Sequence, residues 1–424
     1  MNGKVTRAWD QQDLERRLCH ALDVAKRTVE RLAPEGYIDP EEPRGHIRPE
    51  KVISETALLL LAASTAAGSD EVWGRIHSVA VALKPHARSE RMLLGICLEP
   101  ALALDYATAH LCLSRLGYRD AKFDALVRRA LESQVSRGRE RAPHRVLEQA
   151  WLLKGWHNDS GDDHRWRAVR DSVLNRPMDL LSGSRDDLYA FTHALMYVTD
   201  FNISERRLPR QRNVICAEAD AALARCLDQE DYDLAGEILL TWPLTGNSWS
   251  AAAAFGFRVL ASVEDQAGFL PTASTRIQRL AGLEGEKRES YFLATAYHTI
   301  YVMGLLCAAV LQPGRRPPLR IPTRAAVPGS AEHMFSVVDA GTRKAHWTQE
   351  FEKLTALERD ALAPMLLDIE LRRKTEERDF GAVSKLLTKA DTLGLANRPL
   401  ASQAAEMLDR LAHFAEMTCL AEVA

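Results

Sequence analysis

The sequence has neither a strong charge of one sign nor a cysteine framework. Its 55 Lys and Arg residues nearly balance 58 Asp and Glu residues, for a formal net charge of −3. Dedicated nucleic-acid-binding proteins usually carry a basic excess, so we expect no nucleic-acid partner. The seven cysteines are scattered and no Cys-x-x-Cys pair occurs, which favours buried, reduced thiols over disulfides.

Long uninterrupted apolar runs are also missing. The longest apolar-rich segment, residues 291–311, is broken by hydroxyl and imidazole side chains, which favours a buried helix over a membrane span. The first residues contain no apolar stretch typical of a secretory signal. The sequence therefore predicts a cytoplasmic protein without a membrane partner.

No motif of a common catalytic class occurs. His-Glu-x-x-His, Gly-x-Ser-x-Gly, a glycine-rich phosphate loop and an EF-hand loop are absent. So are the Asp-Asp-x-x-Asp of terpene cyclases and the Trp-Cys and Cys-His-Gly strings of lanthionine cyclases, two groups with α/α scaffolds. No His, Cys or carboxylate spacing is diagnostic of a metal, and the helix dipole alone explains Asp233 and Glu237 near a predicted helix start. We expect neither a metal nor a cofactor.

Helical periodicity is what the sequence does contain, with almost no strand-like alternation. Amphipathic segments of roughly 12–23 residues recur between residues 10 and 311, separated by short linkers that often contain Gly or Pro. The first predicted helix spans residues 10–33, with Asp10 as its N-cap and apolar residues in helical spacing from Leu14 onward. About twelve such helices predict six antiparallel hairpins. The predicted fold class is all-α, and the first predicted domain is a helical hairpin array over residues 1–311.

A second region follows a Pro- and Arg-rich segment. Residues 312–328 contain five prolines and four arginines, a composition typical of an extended linker or a surface strap. Residues 329–424 return to helical periodicity, with helices predicted over about 331–340, 346–376, 380–392 and 400–418. They predict a small C-terminal helical module.

The helix predicted over residues 185–201 has an unusual polar stripe. Helical spacing places five residues on one face: Tyr189, His193, Met196, Tyr197 and Asp200. An ordinary amphipathic helix would carry aliphatic residues on such a buried stripe. The pattern predicts a helix that packs in the core on one side and faces a cavity on the other.

Three related pentapeptides suggest how the hairpins are arranged. Tyr106–His110, Tyr189–His193 and Ala294–His298 end in histidines that lie 83 and 105 residues apart, about two hairpins in each case. Alternate helices of an α/α toroid line its central cavity, so this spacing predicts that the three histidines meet there. Chance similarity of short strings, in an open solenoid or irregular bundle, is the alternative.

Candidate functional residues follow from the two polar helices. His193 and His298 are the candidate catalytic residues, because an imidazole can accept and donate protons near pH 7. Each could instead be a core histidine whose hydrogen bonds are satisfied by a neighbouring Tyr or Thr. The candidate substrate-binding residues are Tyr189, Thr192, Tyr197, Asp200, Tyr297, Tyr301 and His110.

Two strings support a family resemblance. Y-A-F-T-H-A-L-M-Y-V-T-D-F, residues 189–201, and Y-H-T-I-Y-V-M-G-L-L, residues 297–306, resemble an uncharacterised family of actinobacterial proteins often associated with natural-product gene clusters. The resemblance covers about residues 10–311 and leaves residues 329–424 outside. It implies a helical domain of unknown activity and transfers no catalytic role.

The leading hypothesis is an α/α-toroid tailoring enzyme of specialised metabolism. It would act as a cyclase, lyase or isomerase on a small-molecule or peptide substrate, without a redox cofactor. The alternative is a non-catalytic helical scaffold that binds a peptide or carrier protein on a concave face. A glycan-active enzyme is a third option, although such enzymes typically need two opposed carboxylates and only Asp200 is well placed. A closed cavity holding both histidines would favour the enzyme.

Overall fold

The computed structural model describes residues 9–37, 47–66, 68–157, 162–203, 207–272, 275–324, 326–335 and 345–421. Within these ranges the chain forms helices and no β-strand, and the β-pairing consists of one isolated antiparallel bridge between Tyr37 and Ile47. The predicted all-α fold class is therefore confirmed.

Twenty-one α-helices are found in the described ranges. Those up to residue 310 are α1 (Gln11–Glu30), α2 (Pro49–Ala63), α3 (Asp70–Ala87), α4 (Glu90–Leu98), α5 (Ala103–Arg115), α6 (Ala121–Leu131), α7 (Pro143–His157), α8 (Asp162–Asp171), α9 (Arg185–Val198), α10 (Arg212–Asp228), α11 (Tyr232–Leu239), α12 (Thr241–Thr245), α13 (Ala251–Ala267), α14 (Ile277–Gly282) and α15 (Gly285–Val310). The C-terminal ones are α16 (Ser330–Phe335), α17 (His346–Glu352), α18 (Ala356–Ala361), α19 (Ala363–Glu376), α20 (Phe380–Thr392) and α21 (Pro399–Ala421).

Six helices are neighbours in a cyclic order. Helix α2 packs against α5, α5 against α7, α7 against α9, α9 against α11, α11 against α15, and α15 back against α2. Helix α1 packs against α15 and α3, and α10 against α11 and α13. An α/α toroid would have this neighbour order, and the toroid itself stays a prediction.

Helix α15 approaches its neighbours closely at two glycines. A Cβ on Gly304 would lie 2.6 Å from Cβ of Ala21 and 2.9 Å from Cδ1 of Leu59, so this position lets α1 and α2 pack against α15. A Cβ on Gly236 of α11 would lie 2.6 Å from Cγ1 of Val302 on α15. The absence of a side chain at Gly236 therefore sets the distance between α11 and α15.

The apolar character of α15 reflects its place in the core. By length and hydropathy α15 could cross a membrane, as could the pair Glu90–Leu98 and Pro100–Arg115, which is bent by 117°. However, 83% of the most apolar window of α15 is buried inside the protein. A core helix passes the same test, and the burial that the sequence predicted for this segment is observed.

Helix boundaries follow the capping residues. The carboxylate of Asp10, the predicted N-cap of α1, accepts a hydrogen bond from the backbone N–H of Asp13 at 2.8 Å. The helix predicted over residues 185–201 ends earlier, at Val198. Asp200 and Phe201 have φ angles of 52° and 51°, so the chain enters a left-handed turn. The predicted stripe is therefore shortened at its C-terminal end.

The C-terminal helices pack on the hairpin array. Helices α19 and α21 contact α10, and α17 contacts α13. The side chain of Arg373 donates to Asp228 at 2.9 Å, which ties α19 to the end of α10. The division into domains at residues 312–328 stays a prediction.

One long C-terminal helix was predicted where the chain forms three. The span 346–376 is divided into α17, α18 and α19. Thr355 and Glu358 form a capping box that starts α18, and Pro364 lies in the first turn of α19. Part of the helix predicted over 331–340 lies outside the described residues.

Asp220 provides a pH-dependent contribution to stability. This carboxyl group of α10 is buried and accepts a hydrogen bond from Ser250, while Asp368 and Arg398 are the charged groups nearby. Burial raises the pKa of Asp220 to about 6, from 3.8. The folded state holds the proton of the Asp220 carboxyl group more tightly than the unfolded state does. The resulting contribution to the free energy of unfolding is therefore fully present below pH 3.8 and is lost as the pH rises through about 6.

We therefore expect Asp220→Asn, whose amide does not titrate, to gain stability relative to wild type on going from pH 5 to pH 8. Between pH 5 and pH 8, the free energy of unfolding of the variant relative to that of wild type should rise by about 1.4 kcal/mol. The reason is that pH 5 lies one unit below the pKa of Asp220 in the folded state. Urea denaturation of both proteins at the two pH values measures it. A difference that is independent of pH would contradict the assignment.

Candidate functional site

A cavity of about 680 Å³ is lined by residues of the six cyclically packed helices. Each helix contributes at least one side chain to the lining: Glu55 of α2, Thr108 of α5, Glu148 of α7, His193 of α9, Glu237 of α11 and His298 of α15. This volume is in the range of cavities that hold small molecules.

Four of the nine residues singled out from the sequence line this cavity: His193, Tyr197, His298 and Tyr301. They lie on α9 and α15, the two helices whose polar stripes were noted in the sequence. The structure thus brings both candidate catalytic histidines to one cavity.

Three more lie behind the lining, and each donates its hydroxyl to a carboxylate. Tyr189 donates to Oδ2 of Asp233, Thr192 donates to Oε2 of Glu237 at 2.5 Å, and Tyr297 donates to Oε2 of Glu55 at 2.8 Å. These three hydroxyls hold carboxylates in place. The structure gives them no place in the cavity lining.

Asp200 and His110 are not part of the lining. Because α9 ends at Val198, the carboxylate of Asp200 leaves the stripe and accepts hydrogen bonds from Trp151 at 2.6 Å and Arg115 at 3.1 Å. His110 is fully buried against Phe123, with Nδ1 accepting from Arg88 at 3.2 Å and Nε2 lying 3.0 Å from Asp124. The sequence placed three histidines in one cavity, and the structure places two there.

His298 lies between carboxylates on both sides of its ring. Its Nδ1 is 3.2 Å from Oε2 of Glu55, and its Nε2 is 3.2 Å from Oδ1 of Asp233 and 4.0 Å from Oε1 of Glu237. Burial disfavours the charged imidazole, but the negative charges of Glu55 and Asp233 outweigh it and hold the pKa of His298 well above its ordinary value. This environment favours the protonated form of the imidazole.

The pKa values of Glu55 and Asp233 are shifted in the opposite direction, downward. Burial alone would raise the pKa of Glu55, but His298 and the hydroxyl of Tyr297 lower it to about 2. The pKa of Asp233 is likewise lowered by His298, by the hydroxyl of Tyr189 and by Arg185, against the effect of burial. The carboxylates therefore stay ionised around the ring.

His193 has a different environment. Its Nδ1 is buried, and neither ring nitrogen makes a hydrogen bond within the described part of the chain. The nearest carboxylate oxygen, Oε1 of Glu237, is 3.7 Å from Nε2. Both nitrogens of His110, by contrast, have partners. An imidazole at a cavity wall with uncommitted nitrogens can bind or exchange a proton with a ligand.

Tyr197 connects α9 to α7. Its hydroxyl donates to Oε1 of Glu148 at 2.6 Å, and Arg145 donates to Oε2 of the same carboxylate at 2.9 Å. Burial and the charge of Glu148 raise the pKa of Tyr197 well above its ordinary value. The phenol therefore stays protonated and serves as a hydrogen-bond donor.

Sequence reasoning missed the carboxylates Glu55, Asp233 and Glu237. Asp233 and Glu237 had been explained by the helix dipole, yet they are 7% and 3% exposed and contact His298 across two helices. One available signal was the i, i+4 spacing of two acids in α11, an otherwise apolar helix. Glu55 gave no comparable signal, because only the contact between α2 and α15 brings it to His298.

The cavity wall carries both signs of charge. Its basic residues are Arg48, Lys51, Arg139, Arg141 and Arg145, and its acidic residues are Glu50, Glu55, Glu99, Asp105, Glu148 and Glu237. Several are paired with each other, as Lys51 is with Glu55 at 3.7 Å. Such a wall suits a polar ligand better than a hydrocarbon.

A comparison with family models gives one match. Residues 18–308 match the model described as "Domain of unknown function (DUF6895)". The match ends before the Pro- and Arg-rich segment and leaves residues 329–424 outside, and it confirms an uncharacterised family over the helical array. No curated protein and no solved structure matches the chain.

Proposed function

We propose that this chain, which belongs to the DUF6895 family, is an enzyme that moves a proton on a polar small molecule held in the cavity. The observation that carries the proposal is His193, a cavity-lining imidazole whose buried Nδ1 has no hydrogen-bond partner among the described residues. Buried polar groups normally have partners, so the exception is explained if a substrate supplies one.

The roles of the other residues follow from their contacts. His298 has carboxylates at both ring nitrogens, and it is therefore a poor base for substrate. Tyr197 donates its hydroxyl proton to Glu148, so its oxygen can accept a hydrogen bond from a substrate, and Tyr301 lines the same cavity. His193 is the proton-transfer residue of this proposal, which replaces the pair of histidines expected from the sequence.

The reaction class we propose is a cyclisation, elimination or isomerisation without a redox cofactor. Positioned general acid–base catalysis contributes about 10²–10⁴-fold to such steps. We place the reaction in specialised metabolism, in a cavity enclosed by an α/α toroid. The resemblance to proteins associated with natural-product gene clusters supports a role in specialised metabolism. The cyclic packing of six helices supports the toroid.

Replacing His193 with Asn tests this function. Asn keeps a hydrogen-bonding side chain but removes the base, so we expect product formation in the producing strain to fall at least about 100-fold. The melting temperature should change little, because the wild-type ring makes no hydrogen bond that would be lost. Mass spectrometry of culture extracts and thermal melting of the purified variant measure the two effects.

His110→Asn is the matched control. Both nitrogens of His110 are bonded, so this variant should lose about 1–3 kcal/mol of stability and still make product at a temperature where it is folded. If His193→Asn also makes product at the wild-type rate, the enzyme proposal fails and a non-catalytic scaffold that binds a peptide or carrier protein takes its place.

A further inference from the structure

Three polar atoms converge at the point where α11 meets α15. They are Oδ1 of Asp233, Oε1 of Glu237 and Nε2 of His298. Nε2 lies 3.2 Å from the first oxygen and 4.0 Å from the second. One ligand atom from each of the three residues lies within 4.8 Å of the others. Two atoms bound to one metal ion at about 2.0–2.2 Å lie at most about 4.4 Å apart, and the separations of 3.2 Å and 4.0 Å from Nε2 satisfy this limit.

The other polar atom of each side chain is already held by a different residue. Oδ2 of Asp233 accepts from Tyr189, and Oε2 of Glu237 accepts from Thr192 at 2.5 Å. Nδ1 of His298 is 3.2 Å from Glu55. Metal-ligating histidines commonly donate their second N–H to a carboxylate, and ligating carboxylates are themselves hydrogen-bonded. All three side chains have this arrangement, which leaves the converging atoms uncommitted.

The strongest sign of a missing ligand is Oδ1 of Asp233. Asp233 is 7% exposed, and this oxygen accepts no hydrogen bond from the residues that the structure describes. Nε2 of His298 is close, but the two atoms are not aligned for a hydrogen bond. A buried carboxylate oxygen that accepts no hydrogen bond is costly, even with the imidazole as its ion-pair partner. A cation between these atoms would satisfy it.

We propose that Asp233, Glu237 and His298 bind one divalent transition-metal ion, with zinc as the best fit to one imidazole and two carboxylates. Glu237 and His298 line the cavity, so the ion would keep an open position toward a bound ligand. The ion would displace the proton from Nε2 of His298 to solvent. Glu55, Tyr189 and Thr192 orient the three metal ligands. The site stands without the proposed function, because metal binding requires neither a substrate nor His193 as a base.

The experiment is a calorimetric titration of the full chain with Zn²⁺ after treatment with a chelator. Wild type should bind one equivalent that Glu237→Gln and Asp233→Asn do not bind. Thr192→Val removes only the hydroxyl that holds Glu237, and it should weaken binding about 10–100-fold. Each variant keeps all seven cysteines, so thiol binding is common to every titration and cancels in the comparison.

Glu99→Gln is the matched control, because Glu99 lines the same cavity but hydrogen-bonds to Tyr106 at 2.6 Å, away from the cluster. It should bind Zn²⁺ as wild type does, and so should His193→Asn. The proposal is overturned if wild type binds no equivalent, or if Glu237→Gln and Thr192→Val bind as tightly as Glu99→Gln. The cluster would then be an ion pair between an imidazolium and its carboxylates.

Discussion

Replacing Arg17 with Ala is expected to lower the free energy of unfolding by about 3–5 kcal/mol, as removal of one partner from a buried ion pair does. Arg17 of α1 is 1% exposed and pairs with Glu264, a buried residue of α13. It also lies 3.0 Å from Asp13 and 2.8 Å from Asp265. Burial already raises the pKa of Glu264 with Arg17 beside it, so the variant leaves a buried carboxylate without its main counter-charge.

Arg16→Ala is the control for this prediction. Arg16 is the preceding residue of α1 and also contacts Asp13 and Asp265, but its side chain is 53% exposed. An exposed pair contributes about 0–1 kcal/mol. Urea denaturation of both variants measures the contrast, and equal losses would show that burial does not decide the strength of these pairs.

Gly236→Ala is expected to lower the free energy of unfolding by about 1–3 kcal/mol through overpacking. A Cβ at this position would lie 2.6 Å from Cγ1 of Val302, so α11 and α15 would have to separate. Since the same two helices carry Asp233, Glu237 and His298, the variant should also lose affinity for Zn²⁺. Urea denaturation and zinc titration of one preparation measure both effects.

The matched control is Gly74→Ala in α3. A Cβ there has no atom within 4 Å, so the change should give only the gain in helix propensity, about 0.5–1 kcal/mol of added stability. A stabilised Gly236→Ala would mean that α15 moves away at no cost, and that the close contact does not set the geometry of the cluster.

Much of the fold could be predicted from the sequence because helices have a local signature. Apolar spacing located α1 and α15, and Asp10 identified the N-cap of α1. The end of α9 could not be predicted, because the left-handed φ angles of Asp200 and Phe201 occur at residues that are not glycine. The division of the predicted 346–376 helix depends on the capping box of Thr355 and Glu358, a local signal that helical apolar spacing alone does not contain.

The sequence predicted the imidazole and hydroxyl groups of the site but not its carboxylates. Imidazole and hydroxyl groups stand out in an apolar helix, so His193 and His298 were found. Their partners were not found, because Glu55 is 243 residues from His298 along the chain and only tertiary packing joins them. His110 ends a pentapeptide related to that of His193 but is enclosed by Arg88, Asp124 and Phe123. The two histidines differ in their spatial neighbours, which a sequence pattern does not specify.

The packing of α1 against α15 also affects how the protein is synthesised. Leu14, Leu18 and Leu22 of α1 are fully buried, and α15 is among the helices that cover α1. Residue 310 leaves the ribosome long after residue 30, and at roughly 5–20 residues per second the delay is on the order of tens of seconds. During that interval the apolar face of α1 lacks a major partner. Part of the apolar face of α1 therefore stays exposed to solvent in the nascent chain until α15 has been translated.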